Sequence, residues 1–147
     1  MRVVLQRVSK AQVKVEGKEI ASINWGLLAL VGIAQGDELT QIDTMVRKIV
    51  NLRIFEDDQG KLNNSLLDIE GELLVVSQFT LYADTRKGRR PSFTKAMPSQ
   101  EAKDFFKTVV AAFREYPIKV EEGQFQAYME VSLCNDGPVT ILLDSSL

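Results

Sequence analysis

Two short stretches hold the residues best suited to chemistry: Ser77-Gln78-Phe79-Thr80, and Asn135-Asp136-Gly137-Pro138. The first offers two hydroxyls, an amide and a run of main-chain N–H groups, the kind of donors that can hold a carbonyl or an oxyanion when a rigid element fixes them. A plainer reading has a core strand ending there, with Ser77 and Thr80 bonded to backbone. The second stretch joins a residue with excess backbone freedom to one that has no N–H for a sheet. An ordinary trans turn before an edge strand and a locked corner aiming two successive carbonyls the same way are both compatible with it.

The chain has no histidine. Ser-His-Asp triads, Cys-His pairs and H-E-x-x-H zinc sites are therefore excluded. No G-x-x-x-x-G-K-[ST] phosphate loop occurs, and "EDDQGKLNN" is a polar turn out of register for an EF-hand. Any catalysis must rest on backbone groups, hydroxyls, carboxylates or lysines, or on a group the substrate itself supplies. No cofactor is expected. Cys134 is the single cysteine, so it forms no internal disulfide, and no metal site is expected.

The formal net charge is −2, yet residues 86 to 95 carry five cations, Arg86, Lys87, Arg89, Arg90 and Lys95, with no acid from Thr85 through Gln100. A charge run is usually a solvated loop; one this free of acids also suits RNA phosphates, with Phe93 packing beside it. Arg7, inside an apolar strand, calls for a fixed partner.

Stepping along the 147 residues, the pattern predicts a single domain, 1–147, with no repeat or linker. Its longest apolar run, "WGLLALVGIA", is shorter than the roughly 20 residues a membrane-spanning helix needs and reads as a central strand. The N-terminus has no signal-peptide pattern, so no membrane association and a cytoplasmic location are expected. "RVVLQRV" and "AQVKVEGKEI" alternate as strands, turning at Glu16-Gly17-Lys18. Leu39, Ile42, Met45, Val46, Ile49 and Val50 recur at helical spacing behind Thr40 as cap, predicting a helix over about 40–52.

"GELLVVSQFTLYAD" reads as one buried strand. Ala102, Phe105, Phe106, Val109, Val110 and Phe113 predict a second helix over about 100–115, capped by Ser99 and stopped by Pro117. "FQAYMEVSL" reads as a strand with Phe125, Ala127 and Met129 on one face, followed by a separate strand from Val139 to Asp144. The sum is an α+β protein whose mixed, largely antiparallel β-sheets form a barrel-like core beside two main helices.

"SQFTLYAD", "RKGRRPSF" and "NDGPVTILLD", in this order and spacing, closely resemble the D-aminoacyl-tRNA deacylase (D-tyrosyl-tRNA deacylase) family, and the likeness runs over essentially the whole chain. The resemblance implies a homodimer that hydrolyses the ester between a D-amino acid and the 3′-terminal adenosine of tRNA. It implies a cis Gly137-Pro138 bond forming a chiral gate that enters the neighbouring subunit's pocket. Ser77, Gln78, Phe79 and Thr80 would form the facing wall, with Met129, Ala127 and Phe125 nearby. Arg7 and Asn135 would support the corner, and the 86–95 cations would contact tRNA. A gate that senses only a misplaced β-carbon cannot reject glycine, so glycyl-tRNA is an expected substrate. The competing class is a non-catalytic dimeric nucleic-acid-binding module using the basic loop alone.

Overall fold

The computed structural model describes residues 1–146. Strands β1 (Arg2–Val15), β2 (Lys18–Ile23) and β3 (Gly26–Gly32) open the chain. The β1–β2 turn is the expected one, with Glu16 and Gly17 at φ 51° and 77°, a pairing of positive dihedrals that matches the twist of a tight hairpin. Helix α1 (Ile42–Asn51) follows, then the short strands β4 (Phe55–Glu56) and β5 (Leu62–Asn64), then β6 (Glu72–Ser77). Helix α2 (Ser99–Arg114), β7 (Val120–Glu122) and β8 (Glu130–Asp144) complete the chain.

The main sheet runs β2-β1-β3-β6-β7, with β8 on the other side of β1. β1 pairs antiparallel with β2, β3 and β8, whereas β3–β6 and β6–β7 are parallel. β2 also packs against β6 and β7, curling the sheet into a nearly closed barrel. The fold is thus the expected α+β class.

β3 and β6 are buried on both faces, which explains their unbroken apolar runs. Leu27, Ala29, Val31, Leu73 and Val75 face the helices in one core with Ile49, Val50, Phe105 and Phe113. Leu28, Leu74 and Val76 face the barrel interior with Val8, Val13 and Ile23.

Both helices lie where the periodicity puts them, with local corrections. Leu39–Gln41 forms a 3-10 turn before α1, so Thr40 lies inside that turn and does not cap the helix. Leu39, expected in the apolar stripe, is 59% exposed. The Gln41 side chain accepts a bond from the Glu38 N–H across this turn. Ser99 is the first residue of α2, preceded by Pro98 at the cap position.

The larger corrections fall at the two chemical motifs. β6 ends at Ser77 and the chain turns at once into a 3-10 segment, Phe79–Tyr82, so "SQFTLYAD" is not one strand. Residues 125 to 127 form a turn, with Gln126 at φ 62°, and the strand begins only at Glu130. Val131 to Asp144, expected as two strands, is one continuous strand along β1.

That continuity contains a local expansion. Gln6 pairs with Thr140 and Val8 with Asn135, so Asp136 through Val139 stand opposite Arg7 alone. Extra residues on one strand of a ladder leave it locally unpaired. A proline without an N–H therefore fits here with no ladder bond lost.

Candidate active site

The wall is built at the end of β6. Ser77 pairs with Val31 of β3, and the Gln78 N–H donates to the Val31 carbonyl at 2.8 Å. The following turn packs tightly on β3 because residue 32 is glycine: a Cβ there would lie 3.0 Å from the Gln78 carbonyl oxygen and from Leu81 Cβ. From the other side, Arg2 Nη1 donates to the Leu81 carbonyl at 2.7 Å. The same guanidinium lies 4.7 Å from the Tyr82 ring centroid and pairs with Asp144 at 2.9 Å. Burial, with Asp37 and Asp144 nearby, pushes the Tyr82 hydroxyl up to about 12.

Held this way, the Phe79–Tyr82 turn leaves the N–H groups of Phe79 and Thr80 without an acceptor among the described residues. Leading donors of a helical turn have no partner within it. The Gln78 side-chain amide donates to Thr80 Oγ1 at 2.5 Å, so that hydroxyl oxygen is already engaged as an acceptor.

A cavity of about 720 Å³ opens against this wall. Of the residues singled out in the sequence it brings together Ser77, Gln78 and Phe79 with Phe125, Ala127 and Met129; Thr80 adjoins it without lining it. The remaining lining comes from Ile33, Val76 and Val131, from the start of α2 and its approach, and from Phe93, Gln126 and Tyr128. Among the described residues no carboxylate, lysine or arginine lines it. The contributions of α2 and its approach (Ala96 to Ser99 and Ala102) carry no chemical signal in sequence, since they are small or apolar residues brought in by the fold. Among the described residues no cluster of acids and cysteines could hold a metal ion.

Gly137 and Pro138 do not line this cavity in their own chain. Their peptide is cis, and both residues are exposed. Gly137 takes φ 140°, a conformation L side chains rarely adopt, and a Cβ there would stand 2.9 Å from the Val139 nitrogen. The corner is tied from below by Arg7, which is buried at 5% exposure. Arg7 Nε donates to the Asp136 carbonyl at 2.9 Å and Nη1 to the Ile54 carbonyl at 2.8 Å, with Asp136 and Glu56 carboxylates at 3.4 and 3.7 Å. Trp25 Nε1 adds a bond to Asp136 Oδ2 at 3.2 Å. Sequence reasoning found Arg7 but missed Trp25, which opens the apolar run "WGLLALVGIA" and reads there as a strand residue. Asn135 pairs with Val8 at the edge of the expansion.

The basic loop borders the cavity through Phe93, whose ring meets that of Phe79 edge-on with centroids 5.1 Å apart. The loop is closed by an Asp84–Ser92 bridge and by bonds from Gln35 to Lys95 and from Met97 to Ile33. Arg86 is occupied: its side chain bonds Asp84 at 2.6 Å and, with a bond from its N–H, holds the Asp84 carboxyl far below the usual range. Lys87, Arg89, Arg90 and Lys95 have no ion-pair partner among the described residues.

Three comparisons bear on this arrangement. The family model described as D-Tyr-tRNA(Tyr) deacylase matches residues 4–144. A D-aminoacyl-tRNA deacylase of Thermosipho africanus (strain TCF52B) is 56% identical over 145 residues, 99% of this chain and 97% of that protein. One of the same name from Kosmotoga olearia (strain ATCC BAA-1733 / DSM 21960 / TBF 19.5.1) is 57% identical with the same coverage. A solved structure described as c-Myc DNA Unwinding Element Binding Protein superposes with a TM-score of 0.93 at 44% identity over 98% of each chain. Another, described as a probable eukaryotic D-amino acid tRNA deacylase, superposes at 0.84 with 16% identity over 97% of each, a likeness of fold.

Proposed function

This chain belongs to the D-Tyr-tRNA(Tyr) deacylase family, and from that premise we propose that it hydrolyses the ester of D-aminoacyl-tRNA, releasing the D-amino acid and tRNA. The observation that carries the mechanistic reading is a cavity lined by Phe79, where the Phe79 N–H and that of the adjoining Thr80 have no acceptor, and with no acid, lysine or arginine in its lining among the described residues. An aminoacyl ester is activated by the neighbouring ribose hydroxyl, so positioning it, stabilising an oxyanion and orienting a water lower much of the barrier.

In this reading the carbonyl oxygen of the ester sits against the Phe79 and Thr80 N–H groups, which meet the charge as it develops in the tetrahedral intermediate. The tRNA's own 2′-OH assists the attacking water. The Gly137-Pro138 corner of a second copy enters the cavity, its carbonyls accepting the substrate's ammonium. Its bulk leaves no room for a side chain projecting in the L direction. The arrangement supports this, since the corner is exposed, braced by Arg7, and absent from its own chain's cavity. Glycine has no β-carbon and passes.

Thr80 as covalent nucleophile is the rival chemistry. Its hydroxyl has no base beside it, only the donating amide of Gln78. Thr80→Ala is expected to keep turnover within about tenfold of wild type, whereas loss of a nucleophile costs on the order of 10⁴-fold or more. Abolished turnover with D-aminoacyl-tRNA binding intact would establish Thr80 as the nucleophile.

The second reading, a non-catalytic nucleic-acid-binding module, draws on the cations of the 86–95 loop and on the name carried by the 44%-identical structure. Incubation with D-Tyr-tRNA, L-Tyr-tRNA and Gly-tRNA separates the two. Ester loss from the D and glycyl forms only is the expected result; binding of all three without hydrolysis is the result of the module.

A further inference from the structure

Three exposed aromatic side chains gather at one cavity: Phe79 at 55% exposure, Phe93 at 38% and Tyr128 at 90%. Phe79 and Phe93 already meet edge to face, so they form one platform. Tyr128 stands apart from that pair, directly after the 125–127 turn and between the lining residues Ala127 and Met129. That turn is anchored by an Ala127 N–H bond to the Gln124 carbonyl and a Gly123 N–H bond to Val75. Its ring packs on no other aromatic and its hydroxyl has no hydrogen-bond partner among the described residues. Phe93 of this platform belongs to the loop that carries the unpaired cations Lys87, Arg89, Arg90 and Lys95.

Aromatic rings exposed beside cations are the equipment of single-strand nucleic-acid binding: phosphates meet the charges while bases stack on the rings, whatever their sequence. We propose that Tyr128 and Phe93 are the two jaws of a base-stacking clamp for the unpaired nucleotides that precede the aminoacylated end of an RNA. The occupant is a single strand because a base inside a duplex has both faces covered by its neighbours and cannot be held between two rings. The clamp rests on the deacylase reading for the identity of its RNA, and it adds a subsite in the lining of the same cavity: the Ser77–Phe79 wall meets the ester, and the clamp selects an acceptor end with an unpaired tail.

The test compares two D-aminoacyl substrates, D-aminoacyl-adenosine and a minihelix with an unpaired 3′ tail. One stacked base is worth about 1–3 kcal/mol, so Tyr128→Ala is expected to raise KM for the tailed substrate about tenfold more than KM for D-aminoacyl-adenosine. Tyr128→Phe behaves as wild type on both. An unchanged KM on the tailed substrate, or an equal rise on both substrates, overturns the clamp. So does a drop in sedimentation coefficient in Tyr128→Ala, which would mean that the ring is covered by a second copy. Binding of a fluorescein-labelled uncharged tailed minihelix, against a blunt duplex of the same sequence, reads the clamp without turnover. If wild type hydrolyses neither ester yet Tyr128→Ala weakens only the tailed duplex, the deacylase reading fails and the clamp stands.

Discussion

Arg7 is where sequence oddity and structural role meet most directly. An arginine in an apolar strand stays charged, so it must be given acceptors, and the fold gives it two carbonyls and two carboxylates. One of those carbonyls belongs to Asp136, the residue before the glycine of the corner. Arg7→Met would leave the Ile54 and Asp136 oxygens without their donor and the Asp136 carboxylate with only Trp25. The expected cost is about 3 kcal/mol of stability in chemical denaturation, accompanied by a fall in the ratio of D- to L-ester hydrolysis. Unchanged discrimination would separate Arg7 from the corner. Arg7 was legible because its type conflicts with its surroundings. Trp25 was not, because an indole in an apolar run conflicts with nothing.

Among elements, the helices were the most legible, since α1 and α2 each bury one stripe and a 3.6-residue period records it directly. The motifs resisted the same reading. Leu73 to Val76 is buried on both faces, and an apolar run of that kind does not announce where it ends; the turn after Ser77 depends on Gly32 of another strand and on Arg2. Phe125, Ala127 and Met129 alternate as a strand would, yet they line a cavity from a segment that precedes β8. The expansion of β8 opposite Arg7 is likewise a property of pairing, and a single segment does not encode it.

Arg2 links the wall to β8 through Asp144, which makes that clamp sensitive to acid. Burial opposes ionisation of Asp144, but hydrogen bonds from Ser146 and the pairing with Arg2 outweigh it and bring the carboxyl down to about 2. A carboxyl whose folded value lies below its unfolded value of 3.8 stabilises the protein fully above about pH 4. That stability is lost as pH falls from about 4 toward 2. With solvent screening of the partly exposed Arg2 it amounts to roughly 1 kcal/mol. Asp144→Asn should therefore lower stability at pH 7 and flatten its dependence between pH 4 and 2 in urea titrations; an unaltered slope would remove Asp144 from acid sensitivity.

At the scale of the whole molecule, one chain holds both halves of the proposed site but does not bring them together. The wall and its cavity lie where β6 meets α2, while the corner projects from β8, whose outer edge has no partner strand among the described residues. A free edge fifteen residues long is a surface that a second chain can cover. A dimer in which each corner enters the other's cavity completes both sites by symmetry. Among the described residues no helix is long and apolar enough to cross a membrane.

The central claim is that main chain from a neighbouring copy, with no ionisable catalyst, enforces the stereochemistry. A crystal structure with a non-hydrolysable D-aminoacyl-adenosine analogue tests it most directly. The account predicts the analogue's ammonium within hydrogen-bond distance of the main-chain carbonyls of the corner of a second copy, and its carbonyl oxygen against the N–H groups of Phe79 and Thr80. An analogue bound in the cavity while every Gly137-Pro138 corner points into solvent would contradict it.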